Sequence, residues 1–177
     1  MIYIVRHGET DANITNIIRG SYFDDELNAL GHEQAELTAE QLKGIRFDVC
    51  YCSPLKRTLQ TCKPIFDGEI ILEKRLIPRD YGELIKLGET AMYLDKNGYW
   101  NRDLNLPVKD GETVLQVEER IKTVLAEISQ KHPNQNVLIV THGSIMAVIN
   151  AILDNYSRGP ECRLYKVGNC EIIKIPN

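Results

Sequence analysis

The sequence predicts an α/β protein with three layers, in which a mostly parallel, doubly wound sheet lies between two layers of helices. Three observations support this fold class. Short runs of β-branched residues alternate with stretches of helical periodicity along the 177 residues. Two of these runs end in the same dipeptide, His-Gly. A third run is followed at once by serine and proline, a common way for a helix to begin.

Length and composition indicate one globular domain with a sizeable core. The formal net charge of -4 offers no broad positive surface to nucleic acid or to an anionic membrane. An anion site must therefore come from a local cluster of positive groups. No apolar run approaches the length of a membrane span, and the N-terminus lacks the basic region of a signal peptide. The five cysteines show no disulfide or metal-ligand spacing, so we expect a reducing, cytoplasmic location.

The individual elements follow from hydrophobic periodicity. Apolar runs predict buried strands at residues 1–5, 47–52, 69–72 and 137–140. Helical spacing predicts helices at residues 28–43, 53–66, 113–131 and 144–153. The first helix is expected to begin with Asn28 as its N-cap. Its buried side is predicted to carry Leu30, Leu37 and Leu42.

Two regions are less regular. Residues 74–112 contain several glycines and prolines and predict an insertion that covers the active site, with one short helix near residues 89–97. The whole chain, residues 1–177, is expected to form a single domain that includes this insertion. Near the end, residues 163–167 and 170–175 predict a hairpin-like pair of strands around a Gly-Asn turn.

Histidines follow two of the predicted strands directly. His7-Gly8 ends the first strand, and His142-Gly143 ends the strand at residues 137–140. Because the carboxyl ends of parallel strands meet at one edge of a sheet, we expect both imidazoles in one crevice, where α/β folds bind ligands. The two glycines are expected to let the backbone turn sharply and to let a ligand approach closely.

Two arginines are predicted to join the histidines. Arg6 precedes His7, and Arg57 falls in the first turn of the helix that Ser53-Pro54 begins, where backbone N–H groups favour anions. Guanidinium groups grip phosphate oxygens bidentately, and a neutral imidazole can attack phosphorus while a second one donates to the phosphoryl oxygens. The pattern therefore predicts a phosphate site. Since the sequence has no acidic cluster typical of Mg²⁺ and no H-E-x-x-H motif, we predict no metal and no cofactor.

Other polar groups receive structural interpretations. His32 and His132 fall in predicted helical surface positions and are expected to be solvated. Glu118 and Glu119 are interpreted as a solvated helix face rather than a catalytic pair.

The chain resembles the histidine phosphatase superfamily, which has the fold of the cofactor-dependent phosphoglycerate mutases. Five motifs occur in the family's order, namely Arg6-His7-Gly8-Glu9-Thr10 with Asn13, residues 27–35, residues 53–58, Gly111-Glu112-Thr113 with Arg120, and Thr141-His142-Gly143 with Asn169. The resemblance implies that His7 is the phosphorylated nucleophile. It also implies that Arg6, Arg57 and His142 complete the phosphate pocket and that Asn13 contacts the substrate.

One departure from the family concerns the general acid. Members usually carry a glutamate four residues before the glycine of a Tyr-Gly or Phe-Gly pair, and in this chain that position is Pro78, which has no proton to donate. Asp80 and Glu83 flank the Tyr81-Gly82 pair and are the two nearby replacements, between which the sequence does not decide. An acid is needed because an alkoxide leaving group must be protonated as it departs.

The second departure lies in the loop after the predicted nucleophile. Residues 17–20 are Ile-Ile-Arg-Gly, where the family often has Arg-x-Gln-Gly. Arg19 is a candidate contact for a second anionic group of the substrate, and a solvated arginine is the alternative.

The predicted function is a metal-independent phosphatase that hydrolyses small phosphate monoesters through a phosphohistidine. A phosphoglycerate mutase is the alternative. Hydrolysis is favoured over it because the chain lacks room for the full long insertion and tail with which mutases exclude water. A non-catalytic module that binds a phosphorylated metabolite or a protein is a further alternative. The expected partner is a small phosphorylated metabolite, with no nucleic acid and no membrane, and the oligomeric state is not predicted.

Overall fold

A five-stranded sheet forms the centre of the computed structural model, which describes residues 1–15, 20–86, 94 and 96–177. The strands are β1 (Ile2–Arg6), β2 (Val49–Cys52), β3 (Ile70–Leu72), β4 (Val137–Thr141) and β5 (Ile172–Ile175). They lie in the order β3-β2-β4-β1-β5. Each neighbouring pair is parallel except β1 and β5, which are antiparallel. The mostly parallel sheet predicted from the sequence is confirmed.

Helices cover both faces of the sheet. They are α1 (Asp11–Thr15), α2 (Ala29–Leu42), α3 (Lys56–Cys62), α4 (Glu83–Lys86), α5 (Val114–Lys131) and α6 (Gly143–Leu153), with 3-10 helices at Lys74–Leu76 and Cys162–Tyr165. One apolar cluster joins the sheet to α5 and α6, and a second joins it to α2 and α3. The predicted three-layer arrangement is therefore confirmed. Within the described ranges, no helix combines the length and the apolar character needed to cross a membrane.

Helix α2 begins as predicted but buries a different side. The Asn28 side chain accepts a hydrogen bond of 2.8 Å from the backbone N–H of Gly31, as an N-cap does. Leu42 is buried as predicted, but Leu30 and Leu37 are 47% and 57% exposed, so the predicted buried side is wrong at these two positions. The helix lies so close to the loop after β1 that a Cβ on Gly31 would be only 2.1 Å from the Glu9 carbonyl oxygen. Only glycine fits at that position.

Helix α3 begins two residues later than predicted. The Ser53-Pro54 pair predicts Ser53 as N-cap and Pro54 as the first helical residue, whereas the N-cap is Leu55 and the first residue is Lys56. The Ser53 hydroxyl is hydrogen-bonded to Nε2 of His142 at 2.8 Å and is used there instead of at the helix end. Arg57 still lies in the first turn.

The predicted C-terminal hairpin is also wrong. Residues 162–165 form a 3-10 helix, because the Cys162 N–H donates to the Trp100 carbonyl and the Leu164 N–H closes a local turn on Glu161. The last strand pairs with β1 instead. The short helix predicted near residues 89–97 falls largely outside the described residues, which exclude 87–93 and 95.

Two polar groups predicted to be solvated are buried. His132 is 8% exposed and its Nε2 lies 2.9 Å from the Tyr51 hydroxyl. Glu118 is 3% exposed and forms an ion pair of 3.2 Å with Nε of Arg102. Burial alone would raise the pKa of Glu118, but hydrogen bonds from three neighbours, led by Lys122, outweigh it and hold that pKa at about 2. Each group can be buried because a partner side chain satisfies its hydrogen-bonding capacity.

Candidate active site

The two His-Gly pairs lie side by side at the carboxyl edge of the sheet. Strands β1 and β4 are parallel neighbours, and Arg6 is in register with Thr141. The next residue in each chain segment is a histidine, and the centroids of the His7 and His142 rings are 5.2 Å apart. The parallel pairing thus brings the two imidazoles together, as the sequence pattern predicts.

His7 is buried and neutral. Its Nδ1 lies 2.6 Å from the carbonyl oxygen of Gly8. Since a carbonyl oxygen only accepts, Nδ1 carries the hydrogen and Nε2 keeps its lone pair. Burial, together with the charges of Arg57 and Arg6, lowers the pKa of His7 well below the usual 6.5. The ring therefore has the protonation state of a nucleophile at neutral pH.

Ser53 is the hydrogen-bond partner of the His142 ring. Its Nε2 lies 2.8 Å from the serine hydroxyl, while Nδ1 is buried without a hydrogen-bond partner among the described residues. Burial and the charge of Arg57 lower the pKa of His142 well below 6.5. When the Ser53 hydroxyl donates to Nε2, the hydrogen of the neutral ring is on Nδ1. That arrangement leaves one N–H available to a ligand.

The two arginines supply positive charge, Arg57 from a buried side chain and Arg6 from a partly buried one. Nη1 of Arg57 donates to the Phe23 carbonyl at 2.9 Å, and Nη1 of Arg6 donates to the Val167 carbonyl at 2.6 Å. Nε of Arg6 is buried and has no partner within the described part of the chain. Burial lowers the pKa of both groups, but a guanidinium begins from such a high value that it stays charged at neutral pH. The site therefore combines two cations with two neutral imidazoles.

The two motif glycines are required by packing. Neither Gly8 nor Gly143 has a positive φ, so neither position needs glycine for a left-handed backbone conformation. A Cβ on Gly8 would lie 2.4 Å from the carbonyl oxygen of Gly31. A Cβ on Gly143 would lie 2.9 Å from Nε of Arg6. Glycine at these positions lets α2 and the Arg6 side chain approach the edge of the sheet.

A cavity of about 230 Å³ opens beside these groups. Predicted site residues that line it are Arg6, His7, Asn13, Arg57, His142 and Gly143. The lining also includes Asp25, Arg163 and Lys166, which sequence reasoning missed. No spacing in the sequence marks these three, since the segments that carry them come to the cavity only through the fold. Among the described residues, no group of three or more His, Cys, Asp and Glu is arranged to hold a metal ion.

Asn13 connects the cavity to the rest of the motif. Its Oδ1 accepts from the Thr10 N–H at 3.0 Å and from Nδ2 of Asn169 at 3.3 Å. Nδ2 of Asn169 also donates to the His7 carbonyl at 3.0 Å. The two asparagines therefore hold the loop around His7 in place. Arg19, the predicted contact for a second anion, lies outside the described residues.

The two predicted acids do not line the described cavity. Pro78 does, and Asp80 and Glu83 are absent from its described lining. Asp80 Oδ1 accepts the Gly82 N–H at 2.8 Å, and Glu83 Oε1 accepts from Nζ of Lys109 at 2.9 Å on the surface. Both carboxylates therefore make structural contacts beside the cavity wall.

The Gly111-Glu112-Thr113 motif stabilises the part of the cavity wall that contains Pro78. Glu112 forms an ion pair of 2.6 Å with Nε of Arg120 and accepts the Asp80 N–H at 2.9 Å through its other oxygen. Thr113 caps α5 through a reciprocal capping box with Gln116. The motif positions the segment that carries Pro78, rather than contacting the cavity itself.

The fold and the site define a class of protein. Two guanidinium groups and two neutral imidazoles at the carboxyl edge of a mostly parallel α/β sheet suit the binding and transfer of a phosphoryl group. The sequence model of the histidine phosphatase superfamily (branch 1) matches residues 2–176 of this chain. The chain belongs to this superfamily, and the resemblance drawn from its motifs is confirmed.

Curated relatives include both phosphatases and mutases. The chain is 35% identical to the uncharacterized phosphatase PhoE of Bacillus subtilis, an alignment that covers 98% of this chain and 86% of the relative. It is 29% identical to a 2,3-bisphosphoglycerate-dependent phosphoglycerate mutase of Brucella ovis, over 86% of this chain and 81% of the mutase.

Solved structures share the fold over nearly the whole chain. A phosphoserine phosphatase of Entamoeba histolytica, in complex with 3-phosphoglyceric acid, superposes with a TM-score of 0.81 at 27% identity, covering 97% of this chain and 87% of that one. A mycobacterial glucosyl-3-phosphoglycerate phosphatase has a TM-score of 0.79 at 26% identity, covering 97% and 90%. These relatives confirm the phosphoglycerate mutase-like fold and the predicted enzyme class, a phosphoric monoester hydrolase.

Acid is expected to destabilise the folded protein below about pH 6.5. The folded-state pKa values of His7 and His142 lie well below 6.5, so the unfolded chain binds protons that the native state does not. The contribution of these two histidines to the free energy of unfolding should therefore be constant above that pH. Below it, the free energy should fall by about 1.4 kcal/mol per pH unit for each histidine. Urea denaturation in phosphate-free buffers measures this slope.

A matched pair of variants assigns the slope to the site. His142→Asn removes one buried imidazole and should reduce the slope by about 1.4 kcal/mol per pH unit. His32→Asn changes an exposed residue and should leave the slope as it is. An unchanged slope in His142→Asn contradicts the interpretation.

Proposed function

We propose that this protein is a metal-independent phosphatase that hydrolyses small phosphate monoesters through a phosphohistidine on His7. The observation that carries the proposal is the state of His7, a buried neutral imidazole whose Nδ1–H is engaged by the Gly8 carbonyl at 2.6 Å. Its lone pair is therefore on Nε2, in a cavity that Arg6 and Arg57 also line. A site that only bound phosphate would need the arginines but not this lone pair.

In the first step, Nε2 of His7 attacks phosphorus and the bond from phosphorus to the ester oxygen breaks. Arg6 and Arg57 offset the negative charge on the phosphoryl oxygens. Nδ1 of His142 and Nε of Arg6 are buried without partners among the described residues, and both side chains line the cavity. These two N–H groups are suited to donate to the phosphoryl oxygens as charge develops in the transition state.

In the second step, water attacks the phosphohistidine. An oxygen–phosphorus bond forms, the phosphorus–nitrogen bond breaks, and Nε2 of His7 recovers its electron pair as inorganic phosphate leaves. The cavity of about 230 Å³ is smaller than a typical drug-sized pocket, which favours small phosphorylated metabolites as substrates. Structural relatives that act on phosphoserine and glucosyl-3-phosphoglycerate support this substrate class.

A phosphoglycerate mutase is the second candidate, because the mutase of Brucella ovis is 29% identical to this chain. The two activities share the first step and differ in whether water or a second hydroxyl accepts the phosphoryl group. The higher identity to the phosphatase PhoE, 35%, favours hydrolysis.

One set of assays separates these functions. Purified protein is incubated with p-nitrophenyl phosphate and with 3-phosphoglycerate, with and without EDTA, and phosphate release and phosphoglycerate isomerisation are measured. We expect phosphate release that EDTA does not change, and a phosphoenzyme that is labile in acid and stable in base. Isomerisation faster than hydrolysis would favour the mutase. No turnover by folded protein from about pH 5 to 8 would favour a binding module.

A further inference from the structure

One carboxylate reaches the cavity from the loop between α1 and α2. Asp25 is half-buried and is the only carboxylate among the described residues that line the cavity. Pro78 lines the cavity at the position where related enzymes carry a glutamate. Hydrolysis of an alkyl phosphate needs an acid, because an alkoxide is a poor leaving group. Asp25 is therefore the candidate proton donor in the described cavity lining.

The loop around Asp25 is held on both sides. Oδ1 of Asp24 accepts the backbone N–H of Lys56 at 2.6 Å, and Oε1 of Gln60 accepts the N–H of Leu27 at 2.8 Å. The Phe23 carbonyl accepts from Arg57 at 2.9 Å. Each of these contacts joins the loop to α3. Asp25 thus stands on a fixed stretch of backbone, as a proton donor must if it is to meet one atom of the substrate.

Asp25 is also next to the predicted phosphoryl position. Among the neighbouring charges that act on the Arg57 guanidinium, that of Asp25 has the largest effect, ahead of Asp24. Arg57 is one of the two groups that would grip the phosphoryl oxygens, and Asp25 lines the same cavity as Arg57 and His7. The negative charge of a bound phosphoryl group favours the neutral, protonated form of a carboxylic acid near it.

We propose that Asp25 is the general acid and base of the reaction, an inference that rests on the proposed phosphatase function. As Nε2 of His7 bonds to phosphorus and the phosphorus–oxygen bond breaks, the Asp25 carboxyl gives its proton to the departing oxygen, which leaves as an alcohol. The Asp25 carboxylate then takes a proton from water while the water oxygen attacks phosphorus. The phosphorus–nitrogen bond breaks, and Asp25 is again protonated for the next substrate.

The test compares two leaving groups in one variant. An alkyl phosphate such as propyl phosphate needs the proton, whereas p-nitrophenolate leaves readily without it. Asp25→Asn should lower kcat/KM for propyl phosphate by about 10²- to 10³-fold and for p-nitrophenyl phosphate by less than about tenfold. Equal losses on both esters would overturn the proposal, since they would mean that Asp25 only positions Arg57.

Three matched variants complete the design. Asp24→Asn alters the adjacent carboxylate and should leave the ratio of alkyl to aryl turnover unchanged. Asp80→Asn and Glu83→Gln change the carboxylates beside the Tyr-Gly pair and should also leave the ratio unchanged. A loss confined to propyl phosphate in Asp80→Asn or Glu83→Gln, rather than in Asp25→Asn, would assign the acid there and overturn the proposal.

Two further measurements keep the outcome decisive. If Asp25→Asn does not fold by circular dichroism, Asp25→Ser is measured in the same way. In the wild type, kcat/KM should depend only weakly on the basicity of the leaving group, because the acid protonates that group. A steep dependence would mean that no general acid acts in the reaction, and would overturn the proposal. Failure of the phosphatase function shows separately, because the wild type would then turn over neither ester.

Discussion

Replacing His7 by alanine is expected to reduce turnover of p-nitrophenyl phosphate by about 10⁵-fold or more. The variant lacks the nitrogen that forms the covalent intermediate, and the described cavity lining contains a second imidazole, His142, whose Nε2 is engaged by Ser53 at 2.8 Å. Arg6 and Arg57 would still bind the substrate, so kcat should fall much more than the affinity for phosphate. Steady-state kinetics and trapping of a radiolabelled phosphoenzyme measure the two effects.

The control for this prediction is His32→Ala, which changes an exposed histidine of α2 and should preserve turnover. Thermal unfolding and circular dichroism establish that His7→Ala is folded. Added imidazole should restore part of the activity of His7→Ala, because the free base can occupy the space left by the side chain. A phosphoenzyme formed by His7→Ala would rule out covalent catalysis at this residue.

Replacing Arg57 by alanine is expected to lower kcat/KM by about 10³-fold, the scale found when a cation is removed from a phosphoryl-transfer site. Arg57 is 5% exposed, so its charge is poorly screened by water. Its Nη1 also holds the Phe23 carbonyl at 2.9 Å, and this contact fixes the loop that carries Asp25. Arg57→Lys keeps the charge but loses the planar fork, and should recover only part of the loss.

The neighbouring residue provides the control. Lys56 lies in the same turn of α3, but its side chain is solvent-exposed and pairs with Glu26 at 3.2 Å. Lys56→Ala should therefore change kcat/KM by less than about threefold, as expected for a surface ion pair. Chelators should affect neither variant. A loss in Arg57→Ala of less than tenfold, or strong inhibition of the wild type by EDTA, would contradict a site in which arginines offset the phosphoryl charge.

Local patterns predicted most of the regular elements. The β-branched runs gave strands because such side chains suit an extended, buried backbone. Asn28 was sufficient to locate the beginning of α2, since a capping hydrogen bond depends on residues within one turn. Errors arose where a distant partner decided the outcome. The Ser53 hydroxyl is hydrogen-bonded to His142 instead of capping α3, and the Cys162 N–H donates to the Trp100 carbonyl at the start of a 3-10 helix.

The buried side of α2 is the clearest limit of periodicity. Leucine spacing favoured Leu30 and Leu37, yet both are exposed. The helix instead turns its small residues inwards, because the backbones of Gly31 and Glu9 are nearly in contact. A hydrophobic pattern reports which residues favour burial, but it does not report how closely two backbones approach.

The sequence alone therefore determined one half of the site, the groups that are proposed to bind phosphate. Arg6, His7 and His142 adjoin the ends of strands, and Arg57 adjoins the beginning of a helix, so chain connectivity brings these groups to one edge once the strands pair in parallel. The tertiary structure decided the other half. Asp25 reaches the cavity through a loop held by contacts to α3, and residues 162–165 form a 3-10 helix that brings Arg163 there. These positions depend on contacts between residues far apart in the chain, for which the sequence has no periodic pattern.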